Sequence, residues 1–199
     1  MKAITTLAAL LLAIPLLAPP PARAEAPLLP HDFKLPAHLA TERFVLQPLR
    51  LRDSALDHEL IASSVRHLDQ EVYPGGKWAA AMTPERAQVE AGYYQRQFEM
   101  ARGFAYMVMD PAKKRSLGRV YIWHSEKRGY DAMLNYFVRE SELPSALPGE
   151  LDRALRDWLA REWPFKQVLH YRELGSAAYG ALPNKQWVER ALEPSSAQP

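Results

Sequence analysis

Tyr130-Asp-Ala-Met-Leu-Asn-Tyr-Phe-Val-Arg139, followed after the proline-broken loop 140–149 by Glu150-Leu-Asp-Arg-Ala-Leu-Arg-Asp-Trp-Leu-Ala-Arg-Glu-Trp163, decides the fold of this chain. The first half reads as a strand. In the second, Leu151, Leu155, Trp158 and Leu159 recur at helical spacing and form one apolar stripe, joined at the end by Trp163. Trp163-Pro164 closes that helix, because proline disfavours helical geometry in the residue before it. A strand passing through a loop into a helix is a common place for a phosphate-bearing ligand, since the helix start offers unpaired N–H groups and the positive end of its dipole. A functional site is therefore sought first at residues 130–149.

Upstream, Thr41-Glu-Arg-Phe-Val-Leu-Gln-Pro-Leu-Arg50 is extended, and Pro48, which cannot donate to a ladder, places it at a sheet edge. Asp53 or Ser54 caps a helix carrying Ala55, Leu56, Leu60, Ile61 and Val65. Tyr73-Pro-Gly-Gly76 is turn chemistry. Thr83-Pro84-Glu85 opens a second helix, with a capping threonine and proline at the first helical position, that runs to about Ala101 before Gly103. Phe104–Met109 and 119–123 alternate around the basic turn 110–118 and read as an antiparallel pair. After the strand 131–139 and the helix 148–162 come a short strand at 167–171 and, from Pro183-Asn184, a last helical turn or two through Val188 and Leu192. The order is strand, helix, helix, three strands, helix, strand, short helix. It predicts an α+β or mixed α/β layer, with helices on a largely antiparallel sheet.

Lone Lys2, an apolar run from Leu7 to Leu17 broken by Pro15, and Ala22-Arg23-Ala24 before Glu25 read as a secretory signal that is removed, rather than as an anchor. Residues 1–24 are read as this signal, 25–40 as a proline-rich, extended and poorly ordered leader, 41–192 as one domain and 193–199 as a loose tail. The chain is thus expected to be exported, periplasmic or secreted, with no stable membrane insertion once the signal is gone. Loss of Lys2 and Arg23 lowers the basic count from 25 to 23 against 23 acids, so the mature charge is near zero and no nucleic acid partner is implied. The chain has no cysteine, which excludes disulfides, thiolate catalysis and cysteine metal sites. The six histidines show no paired zinc spacing with an adjacent glutamate, so no metal is expected, and no G-x-S-x-G element is present.

Several of these segments resemble the GNAT-type N-acetyltransferase superfamily. Thr41-Glu-Arg-Phe-Val-Leu-Gln-Pro-Leu with Asp53 is similar to the opening "TERLxLRPL…D" of its ribosomal-protein-acetyltransferase-like branch. Gly118-Arg-Val-Tyr-Ile resembles the third-strand "GxVxI", Tyr136-Phe-Val-Arg139 the fourth-strand "YWV", and Pro183-Asn-Lys-Gln-Trp-Val-Glu-Arg the "NxxSxxVxEK" helix, which brings in Asn184. The resemblance covers roughly residues 41–192. Little chain remains after Leu192 for the family's closing pair of strands.

The resemblance implies a splayed fourth strand whose backbone at Tyr136, Phe137 and Val138 pairs with the pantetheine arm of acetyl-coenzyme A. It also implies a loop, here Arg139 through Ser145 to Gly149, whose N–H groups grip the pyrophosphate. In the family that loop reads Q/R-x-x-G-x-G/A, glycines letting the backbone approach phosphate closely. Here Ser145 and Leu147 occupy the nearest glycine positions, Pro144 and Pro148 each remove a donor, and Glu140 and Glu142 bring negative charge to where a polyanion would lie. Acyl transfer to an amine needs a base for the amine and an acid for the departing thiolate. Asp131 and Glu126, with His124 nearby, are candidates for the first role and Tyr171 or Tyr179 for the second. Otherwise the acids are turn residues and the tyrosines half-buried packing. Lys113-Lys114-Arg115 reads as a solvated hairpin loop. Two functions stay open: an exported acyltransferase moving an acyl group from acyl-coenzyme A to an amine-bearing or other small-molecule substrate, and a non-catalytic envelope protein that kept the fold, lost the pyrophosphate loop and binds a ligand or partner.

Overall fold

Five extended runs meet in one sheet, and helices cover both of its faces. A computed structural model describes residues 28–30, 32–36 and 39–186. β1 (Val45–Pro48) pairs antiparallel with β2 (Gly103–Met109), β2 with β3 (Ser116–His124) and β3 with β4 (Ala132–Val138). β5 (Val168–His170) joins β4 in parallel, so the sheet order is β1-β2-β3-β4-β5. A parallel neighbour needs a crossover, and helix α4 (Leu147–Glu162) supplies it. This is the α+β architecture implied by the element order.

Side chains alternate cleanly between the two faces. Phe104, Tyr106 and Val108 of β2, Val120 and Ile122 of β3, and Leu134, Tyr136 and Val138 of β4 pack under Leu147, Leu151, Leu155, Trp158 and Leu159 of α4. Ala105, Met107, Met109, Tyr121 and Phe137 point the other way, against Leu60 and Ile61 of α1 (Ser54–Ala62) and Ala91 of α3 (Pro84–Glu99). Every residue of β2 is buried, as befits a strand covered on both sides. Gly118 is required by strand proximity: a Cβ there would lie 2.3 Å from the Phe137 carbonyl oxygen. Thr83 caps α3 as expected, its Oγ1 accepting from the Arg86 N–H at 3.3 Å, with Pro84 in the first turn.

On the second face the sheet carries a buried ion pair. Arg119 of β3 donates through Nε and Nη2 to Asp57 of α1, and through Nη1 to Glu90 of α3 at 3.2 Å and to the Tyr121 hydroxyl at 2.8 Å. Arg119 and Asp57 are both fully buried.

Three segments depart from the sequence reading. The first helix stops at Ala62, and the chain then winds through the single turn α2 (Val65–His67) into a π-helical turn over Leu68–Val72. Between the expected strand 167–171 and Pro183 the sequence reading places no element, but the chain forms helix α5 (Tyr171–Ala181), kinked at Gly175, whose φ is 69°. The described part of the proline-rich leader is pinned rather than loose: the Leu28 N–H donates to the Ala101 carbonyl, Leu29 is buried, and the Phe33 ring lies 6.2 Å from that of Trp163. The signal segment, the tail and most of the terminal 183–192 helix lie outside the described residues.

Candidate functional site

β4 and β5 stay together for three residues and then part. Ala132 pairs with Val168, Met133 with Leu169 and Leu134 with His170. β4 then continues to Val138 while the chain after His170 turns into α5. The edge of β4 beyond Leu134 is thus left without a partner strand, which is the fork the resemblance implied. Arg172 of α5 leans into it: its Nη1 donates to the Tyr136 carbonyl at 3.4 Å and its guanidinium lies 5.0 Å from the centre of the Tyr136 ring.

Beside the fork lies a cavity of about 320 Å³, lined by His67, Glu71, Val72, Pro74, Asn135, Tyr171, Arg172, Gly175 and Ser176. Three separate stretches of chain build it: the α2–π turn, the open edge of β4, and the start of α5. The π-helical turn puts His67 and Glu71 four residues apart on one side, and the His67 Nδ1 lies 3.1 Å from Glu71 Oε2. A carboxylate only accepts, so Nδ1 is the donor in this bond. The Nε2 of His67 is buried and has no partner among the described residues. The His67–Glu71 pair is thus the titratable unit nearest to a catalytic arrangement. The sequence signal for it was the i, i+4 His–Glu spacing, which is not a zinc pattern and passes unnoticed in a search for one. A larger, more open cleft of about 660 Å³ runs between residues 41–44 and α4, and none of the fork residues lines it.

The loop after β4 is turned inward. The Arg139 N–H donates to the Leu117 carbonyl, Glu140 N–H to Ser64 Oγ, Glu142 to the Arg139 carbonyl, Leu143 to that of Glu140, Ser145 to that of Glu142, Leu147 to Ser145 Oγ, and Glu150 to the Ala146 carbonyl. Positions 144 and 148 are prolines, so at most the amides of Ser141, Ala146 and Gly149 remain to face outward. The loop's charges are engaged as well. Glu140 takes Arg66 and the His67 N–H, and Glu142 takes Arg115 at 2.8 Å. The Arg139 side chain is buried, with Nε on the Ser116 carbonyl at 2.9 Å and Nη1 on Glu59 and Ser63 at 2.7 and 2.6 Å. It ties β4 to α1 and does not point out of the loop.

The other candidates are spread out. Asp131 Oδ2 accepts from the N–H groups of Lys166 and Gln167, which holds its carboxyl below the usual range and fixes the start of β5. Glu126 is exposed, and its carbonyl takes the Lys185 N–H. Neither lines the cavity. Tyr171 does, its ring edge-on to Tyr179 at 5.1 Å. The Tyr136 hydroxyl donates to Asp152 at 2.9 Å, and burial followed by that carboxylate pushes the phenol up to about 12. Phe137 and Val138 are core residues on opposite faces. Ser145 caps its own turn, and Gly149 lies inside α4. Asn184 accepts Lys127 Nζ at 2.8 Å, closing the end of α5 on the β3–β4 connection. Only Tyr171, of the proposed catalytic residues, reaches the cavity. Among the described residues no cluster of three or more potential metal-ligating acids and histidines occurs.

The fold is that of solved GNAT acetyltransferases. A ribosomal-protein-S5-alanine acetyltransferase from Vibrio fischeri is 10% identical with a TM-score of 0.54, over 68% of this chain and 73% of that one. A GNAT-family acetyltransferase from Bacillus anthracis is 13% identical with a TM-score of 0.50, over 72% and 82%. A ribosomal L7/L12 α-N-protein acetyltransferase, solved in complex with coenzyme A, is 14% identical with a TM-score of 0.51, over 62% and 68%. No protein-family model matches the chain, and no curated protein matches its sequence.

Proposed function

We propose that this chain, a divergent member of the GNAT acetyltransferase superfamily, binds a small polar ligand in the cavity beside the β4–β5 fork and no longer grips the pyrophosphate of acyl-coenzyme A. The observation that carries this reading is the loop after β4. Six of its amides are already bonded within the protein, two positions are prolines, and Glu140 and Glu142 add negative charge. A backbone anion site works by presenting free N–H groups to the ligand, and here most of those groups are already satisfied. Calorimetric titration and thermal-shift measurement with acetyl-coenzyme A test it, since a ligand that binds only the folded state stabilises it in proportion to the logarithm of its concentration. Neither heat nor a concentration-dependent shift is expected up to millimolar ligand. Saturable binding would overturn the reading.

A second reading is supported by the fork and by the His67–Glu71 pair. If acyl-coenzyme A does enter, the exposed Glu71 carboxylate, held by His67, takes the proton of an incoming amine. The amine nitrogen bonds to the thioester carbonyl carbon, the C–S bond breaks, and Tyr171 protonates the released thiolate. Thiol release from acetyl-coenzyme A that depends on an added amine, in the same titration samples, would favour it over the first reading.

The signal-like start of the chain supports a place outside the cytoplasm, where acetyl-coenzyme A is not supplied. Intact-mass measurement of the protein recovered from an exporting host is expected to give an N-terminus at or near Glu25. A full-length chain retained in the cytosol would contradict this.

A further inference from the structure

We infer that the fork cavity is built for a small zwitterion of the free α-amino acid class, its carboxylate on Arg172 and its ammonium on Glu71; this rests on the ligand-binding reading above. Two opposite charges line one cavity without pairing with each other: among the described residues no ion pair joins Arg172 to Glu71 or to any other carboxylate. The contrast with nearby Arg156 is direct, since that residue is tied to both Asp152 and Glu173. Arg172 spends one nitrogen on the Tyr136 carbonyl and keeps the rest of its planar donor fork, which matches a carboxylate. Glu71 gives Oε2 to His67 and keeps Oε1, an acceptor for an ammonium.

Separated opposite charges of this kind favour a ligand that carries both signs at matching positions, and they disfavour a ligand with either sign alone, which leaves one protein charge facing the wrong partner. The remaining walls fit the same class. The Asn135 side chain, with no hydrogen bond among the described residues, also lines the cavity and adds a donor and an acceptor. Val72 and Pro74 offer an apolar surface for a short aliphatic side chain. A volume of about 320 Å³ lies at the small end of ligand pockets, room for one amino acid but not for a nucleotide.

The test uses the full chain and three probes of nearly equal shape: L-valine, isovalerate, which lacks the ammonium, and isobutylamine, which lacks the carboxylate. Calorimetry is expected to show saturable binding of L-valine, with each singly charged probe about tenfold weaker or worse, since every missing charge leaves a charge-assisted bond unmade. R172Q and E71Q are each expected to weaken L-valine by a similar factor while the melting temperature stays put, because neither residue is in the core. Isovalerate binding as well as valine, with E71Q silent, would overturn the zwitterion in favour of a plain anion site. No binding by any probe would also overturn it. Both results leave the ligand-binding reading standing as long as acetyl-coenzyme A stays silent, whereas saturable acetyl-coenzyme A binding sinks that reading itself.

Discussion

Asp57→Ala is expected to destabilise the protein by about 3–5 kcal/mol, the cost of leaving one member of a buried ion pair without its partner. Arg119 is fully buried and its guanidinium is held by Asp57, Glu90 and the Tyr121 hydroxyl. Glu90 is partly exposed and contributes one bond, so it does not replace the bidentate carboxylate lost with Asp57. For a chain of this length the loss corresponds to a fall of roughly 6–20 °C in melting temperature. The double change Asp57→Leu with Arg119→Met separates charge from packing. It removes both charges at similar volume and is expected to recover most of the loss, because paired burial of charge is close to neutral against a well-packed apolar substitute. A double variant as unstable as the single one would mean that shape at this position, and not the stranded guanidinium, sets the stability.

Trp158→Ala is the second large loss, again about 3–5 kcal/mol, and its cause is a cavity. Trp158 is 1% exposed and stands edge-on to Tyr106 at 5.7 Å and to Trp163 at 5.2 Å, at the centre of the α4 face. Its Nε1 is buried without a partner among the described residues. Trp158→Phe keeps most of the ring contact and removes that unsatisfied N–H, so it should lose much less than the alanine variant. Chemical denaturation of the three proteins checks the order. A phenylalanine variant as weak as alanine would show that the indole N–H has a bonded partner after all.

The sheet and its main helices were legible because burial leaves a periodic trace. β4 and α4 show it most plainly, in the alternation from Leu134 to Val138 and in the Leu151, Leu155, Trp158 stripe. α5 left no such trace: none of its residues is buried, and Gly175-Ser176 in its middle has loop chemistry. The fork at β4 followed only from the family resemblance, and the parallel joining of β5 to β4 came with the structure. The cavity did not follow, since His67, Asn135 and Arg172 come from three distant segments and only tertiary packing brings them together. Asp131 looked catalytic because it is an acid at the start of the expected site strand. It is instead an anchor for two amides of the next segment, a role a sequence does not distinguish. The loop after β4 is the instructive case. Its missing glycines were visible, but the inward direction of its amides depends on Leu117 and Ser64, which the local sequence does not mention.

The two outer strands have a bearing on how molecules of this protein treat one another. β1 is four residues long and ends in Pro48, and β5 is three residues long before α5 bends away. Strand addition between chains needs a run of unpaired backbone donors and acceptors; neither outer strand is long enough to supply one, and the open β4 edge beyond Leu134 is partly covered by Arg172 on the Tyr136 carbonyl. Intermolecular pairing, and the aggregation it seeds, is thereby discouraged at both ends of the sheet without any help from surface charge.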